Sequence, residues 1–351
     1  MKTRAAVYVE HGKPLVIDDV DLPELGPSHV AVKLFASGIC HSQLHQIHNP
    51  NQVKPVVLGH EATGVISAKG SKVTYVKEGD KVMVGWLPRD PYEGMARPAQ
   101  PSFFYQGKEV PSGGGNCSSW AETTVVDEAF VVKLEDGVAT DVTSITGCAV
   151  MTGAGAAINT AGIRVNESAA IFGVGGVGLS VVVGCAVAGA YPIIVVDLRD
   201  DKLEFAKRFG ATHGINASQQ DPVARIRELT NGGVDYSFDA IGAPKTLEQY
   251  YQVTRVGVSG VRQGGTAVLV GVPTGPTSFP MGSMLSNRGL RGTLGGFTRP
   301  GRDFPMYVRW YKEGKLPLDL LVRRRYKLEQ INEALNDLER GEIAGRSIVV
   351  Y

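Results

Sequence analysis

Short runs of β-branched and apolar residues, separated by Gly, Pro and Asp, fill the first 149 residues of the chain. Such runs are typical of β-strands, and the separating residues favour turns between them. The pattern predicts strands at residues 5–9, 29–37, 64–68, 81–84, 122–126 and 130–133. Because their spacing is irregular, we expect a β-rich, barrel-like domain with functional loops.

From about residue 150 onward, apolar strand-like runs alternate with stretches of helical periodicity. Strands are predicted at 169–172, 193–196, 234–238 and 266–270, and helices at 177–188, 202–209 and 224–230. Alternation at this spacing indicates a doubly wound parallel sheet. The end of the chain, with an amphipathic stretch at 328–338, is expected to return to the first domain. The expected domains are 1–149 with 294–351, and 150–293.

Length and charge narrow the classes of protein. A chain of 351 residues is long for a single core, so two domains are expected. The formal net charge of +1 indicates neither a nucleic acid nor a membrane surface as partner. The apolar stretch 168–198 is interrupted by glycines, Pro192 and Asp197, and no apolar signal segment follows Met1. We therefore expect a cytoplasmic protein.

A glycine-rich sequence, Gly173-Val174-Gly175-Gly176-Val177-Gly178, follows one predicted strand and begins a predicted helix. In that context the pattern predicts a dinucleotide site, whose pyrophosphate binds the backbone N–H groups at the helix N-terminus. Asp197 ends the next strand, where a carboxylate can accept hydrogen bonds from the ribose hydroxyls and repel a 2′-phosphate. NAD is therefore favoured over NADP, although Arg199 nearby would soften this preference.

Three residues far apart in the sequence form a candidate metal site: Cys40, His60 and Cys148. Two thiolates and one imidazole can hold zinc and leave one coordination position open, as catalytic zinc requires. Each residue alone also fits an ordinary core position, since a lone cysteine is usually a small buried apolar group. The hypothesis of a site depends on the three together.

These residues and motifs resemble those of the zinc-dependent, medium-chain alcohol dehydrogenase family, over nearly the whole chain. The matching segments are Gly38-Ile39-Cys40-His41-Ser42, Gly59-His60-Glu61, Gly147-Cys148, the glycine motif, Asp197, Gly271-Val272-Pro273 and Gly345-Arg346-Ser347. The resemblance implies an α/β protein with a GroES-like, β-rich catalytic domain and a Rossmann NAD-binding domain. It also implies one catalytic zinc per chain, and a homodimer or homotetramer that pairs through the edge strand of the cofactor domain.

The resemblance also assigns roles to individual residues. Cys40, His60 and Cys148 match the catalytic zinc ligands, and Glu61 matches a glutamate beside them that can approach the metal. Ser42 and His45 match a hydroxyl and an imidazole that carry the alcohol proton to solvent; Ser-x-x-His spacing places both on one helical face. The substrate pocket is assigned Trp86, Leu294 and Val272.

The cofactor contacts are assigned in the same way. His41 and Arg346 match pyrophosphate-binding positions, Thr152 and Val177 face the nicotinamide, and the backbone at Val270 and Leu294 holds the carboxamide. The complete expected set of cofactor residues is His41, Thr152, Gly173, Gly175, Gly176, Val177, Gly178, Asp197, Arg199, Lys202, Val270, Val272, Leu294 and Arg346.

The sequence departs from the family pattern at two places. Many relatives hold a structural zinc with four cysteines after the substrate-wall residue, whereas segment 86–119 contains only Cys117. One cysteine cannot form that site, so a single zinc is expected. The segment is then either a surface loop or a lobe at an active site or interface, expected to pack through Trp86, Tyr92, Phe103, Phe104 and Tyr105.

The second departure is Gln43, where relatives commonly have an aspartate beside the ligand histidine, and a neutral amide would make that imidazole less electron-rich.

The function predicted is NAD-dependent interconversion of an alcohol and an aldehyde or ketone, with primary apolar or aromatic alcohols favoured because Trp86 narrows the pocket. A glutathione adduct stays open as substrate. One alternative is a zinc-free reductase of activated C=C or C=N bonds, from which metal content would distinguish the chain. Another is a non-catalytic protein that retains the fold, since fold alone does not establish function.

Overall fold

The computed structural model describes residues 1–92, 94–98, 100–111, 117–279 and 281–351; the glycine-rich run 112–115 lies outside them. The described chain divides into two compact units. The first contains Met1–Cys148, Arg299–Gly314 and Leu318–Tyr351, and the second contains Ala149–Thr298 and Lys315–Pro317. Residues 149, 294–298 and 315–317 thus belong to the second unit, a small difference from the expected boundaries.

The first unit is built mainly from β-strands. They are β1 Lys2–Tyr8, β2 Val16–Asp21, β3 His29–Ile39, β4 Val56–Val57, β5 Ala62–Lys69, β6 Lys81–Val84, β7 Phe103–Tyr105, β8 Lys108–Val110, β9 Thr123–Asp127, β10 Val131–Lys133, β17 Val322–Tyr326 and β18 Arg346–Val350. One sheet has the order β4-β1-β2-β7-β8, and the other has the order β10-β6-β5-β3-β18-β17, with β9 also paired to β3.

The second unit contains a six-stranded, all-parallel sheet. Its strands are β11 Ala169–Phe172, β12 Ile193–Asp197, β13 His213–Asn216, β14 Tyr236–Asp239, β15 Thr266–Leu269 and β16 Gly289–Gly292. They lie in the order β13-β12-β11-β14-β15-β16. In chain order this is the 3-2-1-4-5-6 arrangement of Rossmann domains, in which ligands bind at the carboxyl ends of the strands.

Helices connect these strands and cover the sheets. They are α1 His41–His48, α2 Ala149–Gly155, α3 Gly176–Val187, α4 Asp200–Lys207, α5 Pro222–Leu229, α6 Pro244–Gln252, α7 Pro300–Lys312, α8 Leu318–Leu321 and α9 Ile331–Glu339. A π-helical segment, Ala156–Ala161, continues α2. Among the described residues, no helix has both the length and the apolar character to span a membrane.

Many of the strands that the sequence analysis did not predict are short or exposed, although the buried β18 was also not predicted. In the second unit, β16 was not predicted because it is the glycine-containing edge strand Gly289–Gly292, and its residues are largely exposed. In the first unit, β7 and β8 have three residues each, too few for a recognisable alternation. The long β3 and the buried β11 were predicted because each contains a run of mainly apolar residues.

The aromatic residues of segment 86–119 do not all pack as expected. Phe103 and Tyr105 are buried in a cluster with residues of β1 and β2, and the Tyr105 hydroxyl donates a hydrogen bond to Asp18 (3.0 Å). Phe104 and Tyr92 are instead 42% and 70% exposed. The expectation that all these aromatic rings hold the segment is therefore wrong. Phe104 is exposed because alternate residues of a strand face opposite sides, and Tyr92 lies outside any strand.

The alternation makes Phe103 and Phe104 a matched pair for mutagenesis. We expect Phe103→Ala to lower the free energy of unfolding by about 3–5 kcal/mol, the usual effect of emptying a packed aromatic site. Phe104→Ala should lower it by less than about 1 kcal/mol, since surface changes are usually small. Urea titration of both variants checks this, and equal losses would contradict the burial difference.

Candidate metal centre and dinucleotide-binding loop

Three polypeptide segments of the first unit bring Cys40, His60 and Cys148 together. Cys40 follows β3 and is the N-cap of α1, His60 precedes β5, and Cys148 precedes α2. All three are buried, and one potential ligand atom of each lies within 4.8 Å of the other two. The two sulfur atoms are 3.9 Å apart. The predicted ligand set is thus assembled by three segments, and that of Cys148 lies more than 80 residues from the other two in the chain.

The donor set fits a zinc ion. His60 is 4% exposed, and its Nε2 atom has no hydrogen-bond partner among the described residues. A buried polar atom without a partner is costly unless a ligand satisfies it. Two thiols and one imidazole are the donors that zinc accepts at catalytic sites with one open position.

The pKa of the Cys40 thiol is lowered well below its ordinary value. A hydrogen bond from Cys148 contributes most, and this outweighs burial, with further contributions from Arg346 and His60. The same contact raises the pKa of Cys148. Cys40 is therefore the sulfur that loses its proton first, which prepares the pair to receive a cation.

A buried ion pair lies next to the sulfur atoms. The guanidinium of Arg346 in β18 contacts the carboxylate of Glu61, and both side chains are at most 5% exposed. Burial alone lowers the pKa of Arg346, but the charges of Glu61, Cys40 and Cys148 outweigh it and raise the pKa overall. Arg346 is thus a permanent cation that faces three acidic groups.

Glycine is required at position 38 because of Glu61. A Cβ atom at Gly38 would collide with the Glu61 carboxylate. The Gly38 backbone N–H also donates to the Glu61 carbonyl at 3.1 Å. The conspicuous Gly38 in the segment before Cys40 therefore makes room for the neighbouring buried carboxylate.

Gln43 contacts two residues of the metal centre. Its Oε1 accepts a hydrogen bond from the Cys40 backbone N–H at 3.1 Å, and its Nε2 donates to His60 Nδ1 at 2.5 Å. Gln43 is fully buried. The contact with His60 agrees with the expectation that Gln43 replaces the usual partner of the ligand histidine.

The two residues of the expected proton path lie on α1. The Ser42 hydroxyl is 3.5 Å from the Cys40 sulfur, and His45, three residues later, is exposed to solvent. Residues three apart lie on the same face of a helix. Ser42, near the buried Cys40 sulfur, and the solvent-exposed His45 therefore share one face of α1. His41, an expected pyrophosphate contact, is the first residue of α1 and is exposed.

In the second unit the glycine motif joins β11 to α3. The N-cap residue Gly175 carries no side-chain cap, and a Cβ there would meet no atom within 4 Å. By contrast, a Cβ at Gly178 would collide with the Gly173 carbonyl. The loop therefore offers open space and uncapped N–H groups beside Gly175, which fits a pyrophosphate, and close packing at Gly178.

Asp197, at the end of β12, points back to this loop. Its carboxylate accepts hydrogen bonds from the backbone N–H groups of Val174 (3.1 Å) and Leu198 (2.8 Å). Arg199 forms two hydrogen bonds with Asp201, from Nε (2.9 Å) and Nη2 (2.6 Å). Asp201 was missed in the sequence analysis, although an acidic residue two positions after an arginine is a visible signal.

The remaining expected residues are divided between the units. Trp86, which follows β6 in the first unit, is half-buried. In the second unit Leu294 and Val272 are 78% and 56% exposed, so their side chains are accessible to a ligand. The other expected cofactor residues of that unit are half-buried except Gly176, which is buried: Thr152, Gly176, Val177, Lys202 and Val270.

Comparison with known proteins agrees with this description. The family models "Alcohol dehydrogenase GroES-like domain" and "Zinc-binding dehydrogenase" match residues 26–136 and 176–313. The chain is 34% identical to alcohol dehydrogenase class-3 of Cereibacter sphaeroides, with 100% of both chains covered.

Two solved structures resemble the whole chain at 30% identity. An alcohol dehydrogenase zinc-binding domain protein from Burkholderia ambifaria has a TM-score of 0.90, and benzyl alcohol dehydrogenase from Acinetobacter calcoaceticus has a TM-score of 0.88. Each comparison covers 100% of this chain and 99% of the other. The chain belongs to the zinc-binding dehydrogenases of the medium-chain alcohol dehydrogenase family and is an oxidoreductase. The predicted combination of a GroES-like domain with a Rossmann domain is confirmed.

The Arg346–Glu61 pair yields a stability prediction. Arg346→Met should lower the free energy of unfolding by about 3–5 kcal/mol, because it leaves the Glu61 carboxylate buried without its cation. Adding Glu61→Gln removes that stranded charge, so the double variant should be less destabilised than the sum of the two single variants. Denaturant unfolding, followed by the fluorescence of the buried Trp120, measures all four proteins. Strict additivity would contradict a direct coupling.

Proposed function

We propose that the protein oxidises an alcohol to an aldehyde or ketone, and catalyses the reverse reaction, with NAD and a single zinc ion held by Cys40, His60 and Cys148. The proposal rests on one observation: the buried side chains of Cys40, His60 and Cys148 lie close enough together to bind one metal ion, and His60 Nε2 has no hydrogen-bond partner among the described residues. A set of two sulfurs and one nitrogen leaves one zinc position for the substrate oxygen. When bound, zinc supplies a Lewis acid that lowers the pKa of the alcohol.

The side chains around the metal centre have distinct tasks in this reaction. The Ser42 hydroxyl, 3.5 Å from the Cys40 sulfur, accepts the alcohol proton while it releases its own proton to the ribose hydroxyls of the cofactor. His45 takes the proton from the ribose hydroxyls and passes it to solvent. Arg346 and Glu61 keep the charge around the ligands balanced, and Glu61 is the carboxylate next to the ligand His60. Arg346 is also proposed as a pyrophosphate contact, together with His41.

The proposed cofactor is NAD rather than NADP. The Asp197 carboxylate lies beside the glycine loop, where it can accept hydrogen bonds from the ribose hydroxyls and would repel a 2′-phosphate. Arg199, the nearby cation that could attract such a phosphate, forms two hydrogen bonds with Asp201. The Asp201 contact therefore supports the preference for NAD that Asp197 sets.

The proposed substrate is a primary alcohol with an apolar or aromatic group. Trp86 follows β6 in the unit that holds the three donors, and a large ring favours slender, flat substrates. One similar solved structure is a benzyl alcohol dehydrogenase. Faster turnover of bulky secondary alcohols than of benzyl or straight-chain primary alcohols would refute this part of the proposal.

The proposed assembly is a homodimer or homotetramer that pairs through β16. This strand ends the parallel sheet, and only β15 is paired with it among the described residues. An unpaired strand edge can hydrogen-bond to the same strand of a second copy. Light scattering of the purified protein measures the assembly.

Metal analysis combined with an NADH absorbance assay tests the central proposal. We expect one zinc per chain and NAD-dependent turnover of primary alcohols. Cys40→Ser should remove the zinc and lower turnover at least about 10³-fold, because Lewis-acid stabilisation amounts to several kcal/mol. NAD binding should persist in this variant.

Cys185→Ala is the matched control, because Cys185 is a buried cysteine of α3 outside the ligand set, and this variant should retain zinc. A folded wild-type protein that binds NADH but neither zinc nor alcohol would indicate the zinc-free reductase instead.

Asp197→Gly tests the cofactor preference. Removal of the carboxylate should reduce the ratio of kcat/KM for NAD to that for NADP by about tenfold or more, equivalent to about 1.4 kcal/mol. Asp200→Asn is the control, because Asp200 bonds Asn216 and Gln219 and should leave the ratio nearly unchanged. An unaltered ratio in Asp197→Gly would show that another group selects the cofactor.

A further inference from the structure

The hydrogen bonds of Gln43 are matched to one proton position on His60. The amide nitrogen can only donate, so His60 Nδ1, 2.5 Å away, must accept. The neutral imidazole then carries its proton on the other nitrogen, Nε2. This nitrogen is buried without a hydrogen-bond partner among the described residues.

Zinc requires the opposite arrangement of the ring. A zinc-bound Nε2 carries no proton, so the proton of the neutral ring lies on Nδ1, which becomes a donor. In that state the N–H of His60 and the N–H of Gln43 would face each other at hydrogen-bond distance. Neither group can reach water, because Gln43 is fully buried and His60 is 4% exposed.

Rotation of the amide does not remove this conflict. If the Gln43 oxygen turns to accept from His60 Nδ1, its nitrogen faces the Cys40 backbone N–H, which now bonds the oxygen at 3.1 Å. The amide has one accepting atom and one donating atom, whereas the two neighbours would both be donors. A carboxylate in the same place would accept from both.

We propose that Gln43 is a positioning residue that weakens the hold of His60 on zinc and makes the ion exchangeable. The inference rests on the proposed metal centre and concerns its affinity rather than its existence. Hydrogen-bond partners of ligand histidines typically change metal affinity by about 10–100-fold. We therefore expect the zinc dissociation constant of this protein to be about 10–100-fold larger than that of a variant with a hydrogen-bond acceptor at position 43.

Gln43→Glu is the direct test, because glutamate has the same length and replaces the donating nitrogen by an accepting oxygen. Zinc competition with a chromogenic chelator should give a dissociation constant about 10–100-fold lower than in the wild type, and slower release of zinc. Gln46→Glu, on the same helix one turn further, adds the same charge and has no hydrogen bond to His60 or Cys40 among those described. It should change the affinity much less. Equal tightening by both variants would assign the effect to charge alone and overturn the proposal.

A second measurement needs no variant at position 43. In the metal-free wild-type protein, ¹⁵N chemical shifts of labelled histidine should show the His60 proton on Nε2, with the signal assigned by its loss in His60→Gln. Zinc binding should move that proton to Nδ1. A proton already on Nδ1 in the metal-free protein would overturn the proposal, even if Gln43→Glu fails to fold.

The outcomes separate this inference from the proposed function. A wild-type protein that binds no zinc at micromolar concentration, with His60 intact, contradicts the zinc-dependent function itself. A wild-type protein that binds zinc as tightly as Gln43→Glu retains the proposed function and refutes only the role of Gln43.

Discussion

The buried contact between Arg346 and Glu61 is the interaction on which the candidate metal centre depends. Two sulfur atoms 3.9 Å apart and a carboxylate lie close together without solvent, where like charges repel strongly. A permanent guanidinium opposes this repulsion, both for the carboxylate and for the sulfur that ionises first. The antiparallel pairing of β18 with β3 brings Arg346 to this position, so the C-terminal strand is part of the metal centre.

Glu61 and Gln43 flank the same ligands with opposite chemistry. Glu61 has a charged partner and a cavity that Gly38 leaves for it, so its burial is compensated. Gln43 is neutral and is satisfied only while His60 keeps its proton on Nε2. The Arg346–Glu61 pair thus stabilises the charge around the ligands, whereas in our proposal Gln43 disfavours the zinc-bound form of His60.

The geometry of the glycine motif could be predicted from the sequence more completely than the surroundings of the three metal-site donors. The motif lies within one strand–turn–helix segment, so its geometry follows from local backbone requirements, and the loop has the expected form. The donor set could be proposed from residue types and family resemblance. The contact of Gln43 with His60 was expected from the resemblance, whereas the contacts of Gln43 with Cys40 and of Arg199 with Asp201 depend on side-chain positions that no spacing specifies.

By itself the sequence determined the two-part architecture, the parallel character of the sheet in the second unit and the identity of the three candidate donors. Hydrophobic periodicity and glycine positions are local properties, and they persist in any fold that the chain adopts. Only the tertiary structure decided which rings of segment 86–119 are buried, that Arg346 pairs with Glu61, and that the amide nitrogen of Gln43 faces His60 Nδ1. Those outcomes depend on burial and on hydrogen-bond direction between residues far apart in the chain, which arise only when the strands pair.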